Sequence, residues 1–318
     1  MKIVILDGYT LNPGDNPWDG LYKLGETVVY DRTTPDQVIA RAMGAEVVAV
    51  NKVQITEDIL KQLPDLRCIL VLATGYDCVD LDAASSRSIV VSNVPVYGTE
   101  SVAEFVFALI LELSRHPALH NKSVNEGEWS ENPDWCYWKK PLIEIKGKTI
   151  GIIGFGRIGR KVGELANAFG MEVLANDINA INNPKYAKFS WATIEEVFDN
   201  SDYITLHCNQ TEQNYKFVNY HLLDRMKRSA YLINTSRGGL VEEADLASAL
   251  NTTSIAGAAV DVVSVEPILQ DNPLLNAKNI IITPHISWAT LEARTRLMDI
   301  VVQNLKAYIG EQPQNVVN

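Results

Sequence analysis

The sequence predicts an α/β fold built from two doubly wound parallel sheets with helices on their faces. Three observations predict it. Short apolar runs alternate with helical stretches through the first hundred residues, and the same rhythm resumes at Thr149 and runs to about Pro284. A glycine-rich turn, Gly154-Phe-Gly156-Arg-Ile-Gly159, carries one of the buried runs directly into a helix. At 318 residues the chain is too long for one ordinary core, so two domains are expected.

The elements follow in order. Apolar runs at 3–6, 27–30, 47–50, 69–72 and 89–91 read as buried strands. Stretches 35–43 and 56–63 start with polar residues and space their apolar ones as helices do. Residues 100–115 read as one long helix, apolar almost all round, and so buried between layers or subunits. Residues 125–141 set Trp129, Trp135, Tyr137 and Trp138 among polar residues and read as an excursion, neither strand nor helix. Further strands fall at 150–153, 172–175, 203–206, 231–233, 255–260 and 280–282, with a last helix at about 290–309.

A hydrophobic content of 47% with 21% charged residues is the balance of a globular protein. The formal charge of −11 argues against nucleic acid or an anionic membrane as the main partner, but leaves room for an anionic small substrate. The first apolar run meets Asp7 too soon for a signal-peptide core. The stretch 102–113 carries Glu104 and Glu112 and falls short of a membrane span. Cys68, Cys78, Cys136 and Cys208 are scattered without metal or redox spacing, which fits a reduced cytoplasmic setting and no metal centre.

The glycine-rich turn is the strongest local signal. Gly154 permits a tight turn, Gly156 lets the backbone approach a pyrophosphate, and Gly159 lets the helix pack on its strand. The helix N-terminus then offers unpaired N–H groups to the phosphates. The next strand ends at Asp177, 18 residues after Gly159, close to the ~20 at which an acid binds the adenosine ribose. No arginine follows Asp177 closely to hold a 2′-phosphate, so NAD is favoured over NADP.

A second unusual turn sets Arg237 between the apolar run 231–233 and two glycines. Its bland reading is a helix-start ion pair with Glu242 or Glu243. Asp261 and Glu266 follow another strand, and His285 follows a third. His116, His120 and His221 lie in polar segments and read as surface residues. His207 ends a strand and reads equally as a cleft-lining residue or a strand cap.

The segments "NTSRGGLVEEADL", "DVVSVEP" and "TPHISWAT", with "ATGYDCVDLDAA" and "SVAEFVFALIL", together resemble the D-2-hydroxyacid dehydrogenases nearly end to end. The opening "VILDGYTLNPGD" and the His285-Ile-Ser-Trp288 sequence look most like the glycerate dehydrogenase (hydroxypyruvate reductase) branch. The resemblance implies that Arg237 binds the substrate's carboxylate and carbonyl oxygen, that His285 donates and accepts the proton, and that Glu266 pairs with it. It implies that backbone at Thr74, Gly75 and Tyr76 holds the substrate carboxylate. Trp288, three residues after His285, reads as an aromatic that shapes the pocket or, alternatively, stacks in the hinge. The resemblance gives NAD further contacts at Arg157, Ile158, Cys208, Thr235, Ser236 and Asp261. One departure stands out: Asn209 takes the place of the family's proline after His207, which bears on adenine packing. The chemistry agrees. Hydride addition to a 2-keto acid puts charge on the carbonyl oxygen, which a forked guanidinium stabilises. A histidine, with a free pKa of about 6.5, supplies the proton, and a neighbouring glutamate orients the ring and raises its proton affinity. On this reading the glycines beside Arg237 leave room for cofactor and substrate.

The resemblance further implies a Rossmann NAD domain, residues 99–286, inserted in a flavodoxin-like substrate domain of residues 1–98 and 287–318, with hinge closure at the two crossings. It implies a homodimer through the 101–141 arm. Trp138, or failing it Trp135, would then reach the partner's pocket, or these aromatics would simply pack the interface. The expected reaction is reduction of hydroxypyruvate to D-glycerate. The alternatives are glyoxylate, D-lactate or phosphoglycerate chemistry, or an NAD-sensing corepressor on the same fold. A phosphorylated substrate is disfavoured, because segments near Thr74 and 11–15 hold no basic cluster.

Overall fold

A computed structural model describes all 318 residues, and they divide into two compact units. One comprises Met1–Gly98 with Trp288–Asn318, the other Thr99–Ser287. The second crossing falls after Ser287 because that residue is tied to the second unit. Its N–H donates to Asp261, and its carbonyl accepts from the Ser101 hydroxyl at 2.6 Å.

The first unit is a five-stranded parallel sheet: β1 (Lys2–Ile5), β2 (Glu26–Val29), β3 (Val47–Val50), β4 (Cys68–Val71) and β5 (Val90–Ser92). The order is β2-β1-β3-β4-β5, the flavodoxin-like arrangement. Alternate side chains feed two cores. Val4, Val48, Ile69 and Val91 pack on one face. Ile3, Val47, Cys68 and Leu70 pack on the other, against Leu297, Val301 and Leu305 of the helix Leu291–Ile309. Arg294 of that helix, almost fully buried, grips Asp15 with two nitrogens at 2.6 and 2.7 Å.

The second unit holds β6 (Thr149–Ile153), β7 (Glu172–Asn176), β8 (Phe189–Trp191), β9 (Tyr203–Leu206), β10 (Tyr231–Asn234), β11 (Gly257–Val260) and β12 (Ile280–Ile282), all parallel. The order β12-β11-β10-β9-β6-β7-β8 is that of a Rossmann sheet with one added strand. Ile150, Ile152, Tyr203 and Ile233 pack with Ala103, Val106 and Ile110 of the helix Thr99–Arg115, while Ile204, Leu206, Leu232 and Val260 face the opposite layer. That helix is not buried all round: Glu104, Ala108 and Arg115 lie exposed along one side. The helix Pro117–Asn125 follows it, and residues 126–141 form turns without a strand or regular helix, as the sequence suggests. His116 and His120 are half-buried rather than surface groups. His120 bonds the His116 carbonyl through Nδ1 and accepts the Lys139 N–H at Nε2, closing the excursion back onto the helix. No helix is long and apolar enough to cross a membrane.

Candidate active site

The site residues of the second unit follow the carboxyl ends of neighbouring strands. Open parallel sheets bind ligands beyond those ends, where strand order reverses, here between β9 and β6. β6 runs into Gly154, whose φ of +89° suits only glycine. A Cβ there would lie 2.6 Å from the His207 carbonyl carbon, and one on Gly159 would overlap the Gly154 carbonyl. A Cβ on Gly156 would meet nothing within 4 Å. Two glycines therefore serve the turn's own packing, and the third leaves open space. The helix Arg157–Ala168 makes its first bond from the Arg160 N–H to the Gly156 carbonyl. N–H groups ahead of it, at Arg157, Ile158 and Gly159, lie at the helix start, where phosphate oxygens can accept from them.

Asp177 directly follows β7. Its carboxylate accepts from the Phe155 N–H at 2.6 Å and the Asn179 N–H at 2.8 Å, one on each oxygen, leaving acceptor capacity for ribose hydroxyls. An arginine does reach this loop, though the sequence places it on the preceding helix. Arg160 spends its two terminal nitrogens on the Ile181 and Asn182 carbonyls, each at 2.8 Å.

At the end of β9, His207 bonds the buried Thr205 hydroxyl through Nε2 at 2.9 Å, and burial pushes its imidazole down to about 3. The Thr205 bond and the direction of this shift suit a strand cap better than a proton carrier. Burial likewise pushes the Cys208 thiol up to about 11, so that residue offers packing and backbone rather than a thiolate. Its carbonyl accepts from Ser236 Oγ at 2.7 Å. The Thr235 hydroxyl is buried without a hydrogen-bond partner. An orphaned hydroxyl, an open glycine turn and an acid at the ribose distance together fit a dinucleotide.

Arg237 follows β10. Asn234, buried at the strand's end, shapes the turn by accepting from the Ser236 N–H at 3.0 Å and donating to the Arg237 carbonyl at 2.9 Å. The exposed guanidinium donates to the Ser236 carbonyl at 2.8 Å and meets no carboxylate. Both glutamates that could neutralise it are engaged elsewhere, Glu242 with Lys216 at 2.9 Å and Glu243 with Ser264. The adjacent glycines do not act as the sequence suggests. A Cβ on Gly238 would overlap the backbone of Val263 and Ser264, and one on Gly239 would lie 2.8 Å from the Gln210 amide carbon. They admit the chain's own backbone and a side chain, not substrate.

Beyond β11 and β12 the remaining pair assembles. His285 Nδ1 lies 2.7 Å from Glu266 Oε2, and Glu266 Oε1 accepts from the Val263 N–H at 3.3 Å. His285 adopts a left-handed backbone, φ +54°, costly for a side chain of its size. Asp261 holds it there. Its main-chain carbonyl accepts from the His285 N–H at 2.8 Å. Its buried carboxylate accepts from the Thr283 hydroxyl at 2.6 Å, the Ile286 N–H at 2.9 Å and the Ser287 N–H at 2.8 Å.

In the first unit, Thr74, Gly75 and Tyr76 follow β4. Thr74 is anchored by its hydroxyl to the Val94 carbonyl and by its carbonyl to Asn93 Nδ2. The N–H groups of these three residues donate to no acceptor in the chain. Trp288 packs edge-on against Tyr97, centroids 6.0 Å apart. Trp135 and Trp138 are exposed, at 86% and 65%. No group of three or more His, Cys, Asp and Glu side chains gathers in a metal-binding arrangement.

Sequence reasoning missed Asn234 and Thr283. Asn234, three residues before Arg237 at a strand end, carried a legible turn signal. Thr283 acts on Asp261, 22 residues away in sequence.

Comparison with known proteins agrees with this arrangement. Residues 107–287 match the D-isomer specific 2-hydroxyacid dehydrogenase NAD binding domain. The chain is 49% identical to a hydroxypyruvate reductase of Blautia hydrogenotrophica, with all of both chains covered. It is 40% identical to a glycerate dehydrogenase of Methylorubrum extorquens, over 99% of this chain and 98% of that one. Among solved structures, a putative D-isomer specific 2-hydroxyacid dehydrogenase from Polaromonas superposes with a TM-score of 0.89 at 27% identity, over 100% and 99% of the two chains.

Proposed function

Because the chain belongs to the D-isomer specific 2-hydroxyacid dehydrogenases, we propose that it reduces hydroxypyruvate to D-glycerate with NADH. The observation that carries the reading is the set of groups beyond three adjacent strands: an arginine without a carboxylate partner after β10, and a His285–Glu266 pair at 2.7 Å joining the ends of β11 and β12.

With its pyrophosphate held at the glycine turn, NADH would supply a hydride to the substrate's carbonyl carbon. Gly154, Gly156, Arg157, Ile158 and Gly159 would hold the phosphates, Asp177 the ribose, and Cys208, Thr235, Ser236 and Asp261 the remainder. Asp177 together with the engagement of Arg160 supports NAD over NADP. Arg237 grips the carboxylate and the carbonyl oxygen, on which charge develops. His285 delivers the proton to that oxygen, and Glu266 steadies the imidazolium and fixes which nitrogen faces the substrate. The N–H groups of Thr74, Gly75 and Tyr76 take the substrate carboxylate, and Trp288 limits its side chain. The first unit is thus the substrate domain and the second the NAD domain.

The exposed side of Thr99–Arg115 and the exposed tryptophans support a homodimer through the 101–141 arm, with Trp138, or failing it Trp135, reaching the partner's pocket. Trp138→Ala should change substrate preference; dimer weakening alone would assign the ring to interface packing. The four free cysteines fit a reducing, cytoplasmic setting.

The test is NADH oxidation with hydroxypyruvate, glyoxylate, pyruvate and 3-phosphohydroxypyruvate, repeated with NADPH. The expected result is a preference for hydroxypyruvate with NADH. Faster turnover with NADPH would overturn the role given to Asp177. No turnover with any keto acid would overturn the activity.

A further inference from the structure

We propose that Glu243, on the helix that follows the substrate arginine, is a positioning residue for the Glu266–His285 pair. Three hydrogen bonds converge on its carboxylate. Oε1 accepts from the Ser264 N–H at 2.7 Å, while Oε2 accepts from the Ser264 hydroxyl at 2.7 Å and from Asn272 Nδ2 at 3.0 Å. Asn272 is itself buried and fixed, since its side-chain oxygen caps the Leu274 N–H at 2.9 Å.

Ser264 is the second residue of the turn that delivers Glu266. Its neighbour Val263 donates its N–H to Glu266 Oε1, and Glu266 Oε2 faces His285 Nδ1. A continuous chain of bonds thus runs from Glu243 through Ser264 and Val263 to Glu266 and His285. Gly238 adds a second fastening, because its missing Cβ lets the Arg237 turn lie directly on the Val263–Ser264 backbone. The element that presents the arginine is therefore bolted to the element that presents the glutamate. Side chain and backbone of one exposed serine hold that joint, and loss of the Glu243 carboxylate would leave the turn to its own flexibility.

Arg237 stands on the turn fastened to the joint, Lys216 and Glu242 form an ion pair beside Glu243, and Asp261 lies behind His285, engaged with backbone and Thr283. None replaces Glu243 as an acceptor for Ser264. A displaced Glu266 no longer fixes the His285 ring through Nδ1, and the imidazole is then less often in the orientation that delivers a proton.

The inference deepens the proposed function and rests on it for the role of His285. Two readouts on full-length E243Q, S264A and the double variant separate the two. The first is the His285 Nδ1–H signal in the NMR spectrum, which reports the hydrogen bond to Glu266 and needs no substrate. The second is kcat with hydroxypyruvate and NADH, with KM and the NADH Kd measured alongside. In E243Q the Nδ1–H signal should broaden or be lost to exchange with water, and kcat should fall about five- to twentyfold, with KM and Kd within about twofold. S264A, which keeps its N–H, should move the same way by less, and the double variant should be no worse than E243Q. An unchanged signal with only a lower Tm, or a raised KM at unchanged kcat, would overturn the proposal. Should E243Q fail to fold, the signal in S264A decides it. A lost signal in a protein that reduces no keto acid would uphold the joint and sink the activity.

Discussion

Two strands of one sheet, β9 and β12, are each followed by a histidine, His207 directly and His285 after Thr283 and Pro284, and the two do opposite work. His207 continues its strand, caps a buried threonine and is held neutral by burial. Its carbonyl carbon and the Cys208 backbone form the surface against which Gly154 turns. His285 leaves its strand in a left-handed conformation, pinned by Asp261 and faced by Glu266. One end supports the cofactor turn by being packed. The other presents an imidazole by being strained and then paid for with carboxylate bonds. A histidine at a strand end is therefore not a signal of catalysis by itself; the acceptors around it decide.

Exchanging the two rings for amides should break or uphold this contrast with the largest effect. His285→Gln should lower kcat/KM for keto-acid reduction about a thousandfold, near 4 kcal/mol of transition-state stabilisation, since it removes the proton donor. His207→Gln keeps a side chain that can bond Thr205 and should change the same quantity less than about threefold. Steady-state NADH oxidation measures both. Equal losses would mean that His207 takes part in the chemistry after all.

The packed end has its own weak point. Gly154→Ala adds a methyl against the His207–Cys208 backbone at a φ that disfavours any Cβ. It should cost about 2–3 kcal/mol of stability and weaken NADH binding together. Gly156→Ala, with open space around it, should weaken NADH binding with stability unchanged. Thermal unfolding with and without NADH separates the two variants. Similar unfolding temperatures without cofactor would show that the floor beneath Gly154 yields.

Much of this was legible in the sequence, for reasons that particular residues make plain. Parallel strands covered on both faces appear as unbroken apolar runs, so β3, β9 and β10 were readable almost to their ends. The edge strand β8, Phe189–Trp191, has three residues, all at least partly exposed, and left no such run. Helices as short as Asp19–Tyr22 or Tyr220–Leu223 complete barely one turn, too little for a 3.6-residue period. At the site, Arg237, Glu266 and His285 could be named because each follows a strand and matches a family motif. The left-handed turn of His285, the four-point grip of Asp261 and the packing of Gly238 on Val263 depend on neighbours 22 to 26 residues away and could not be. The three glycines of the phosphate turn and the two beside Arg237 look alike in sequence. Only the space around each shows that Gly156 stays open while the other four admit the chain itself.

The smallest effect sharpens the contrast on the packed side. Unfolded, the His207 ring takes up a proton near pH 6.5; folded, only near 3. Between those values the unfolded chain binds more protons, so this residue makes stability fall as pH falls, by up to about 1.4 kcal/mol per pH unit. Above pH 6.5 both states are neutral and the residue adds no pH dependence. Partial exposure of the residue makes that slope an upper limit. Wild type and His207→Gln, compared by urea unfolding at pH 7.5 and pH 5, should therefore differ in pH response, the wild type losing up to about 2 kcal/mol more on acidification. Every carboxylate common to both proteins cancels in that difference. If the two lose stability in parallel, the native ring is already protonated or hydrated at pH 5. The strand end would then be open to water, and the distinction between a packed and a presented histidine would fail.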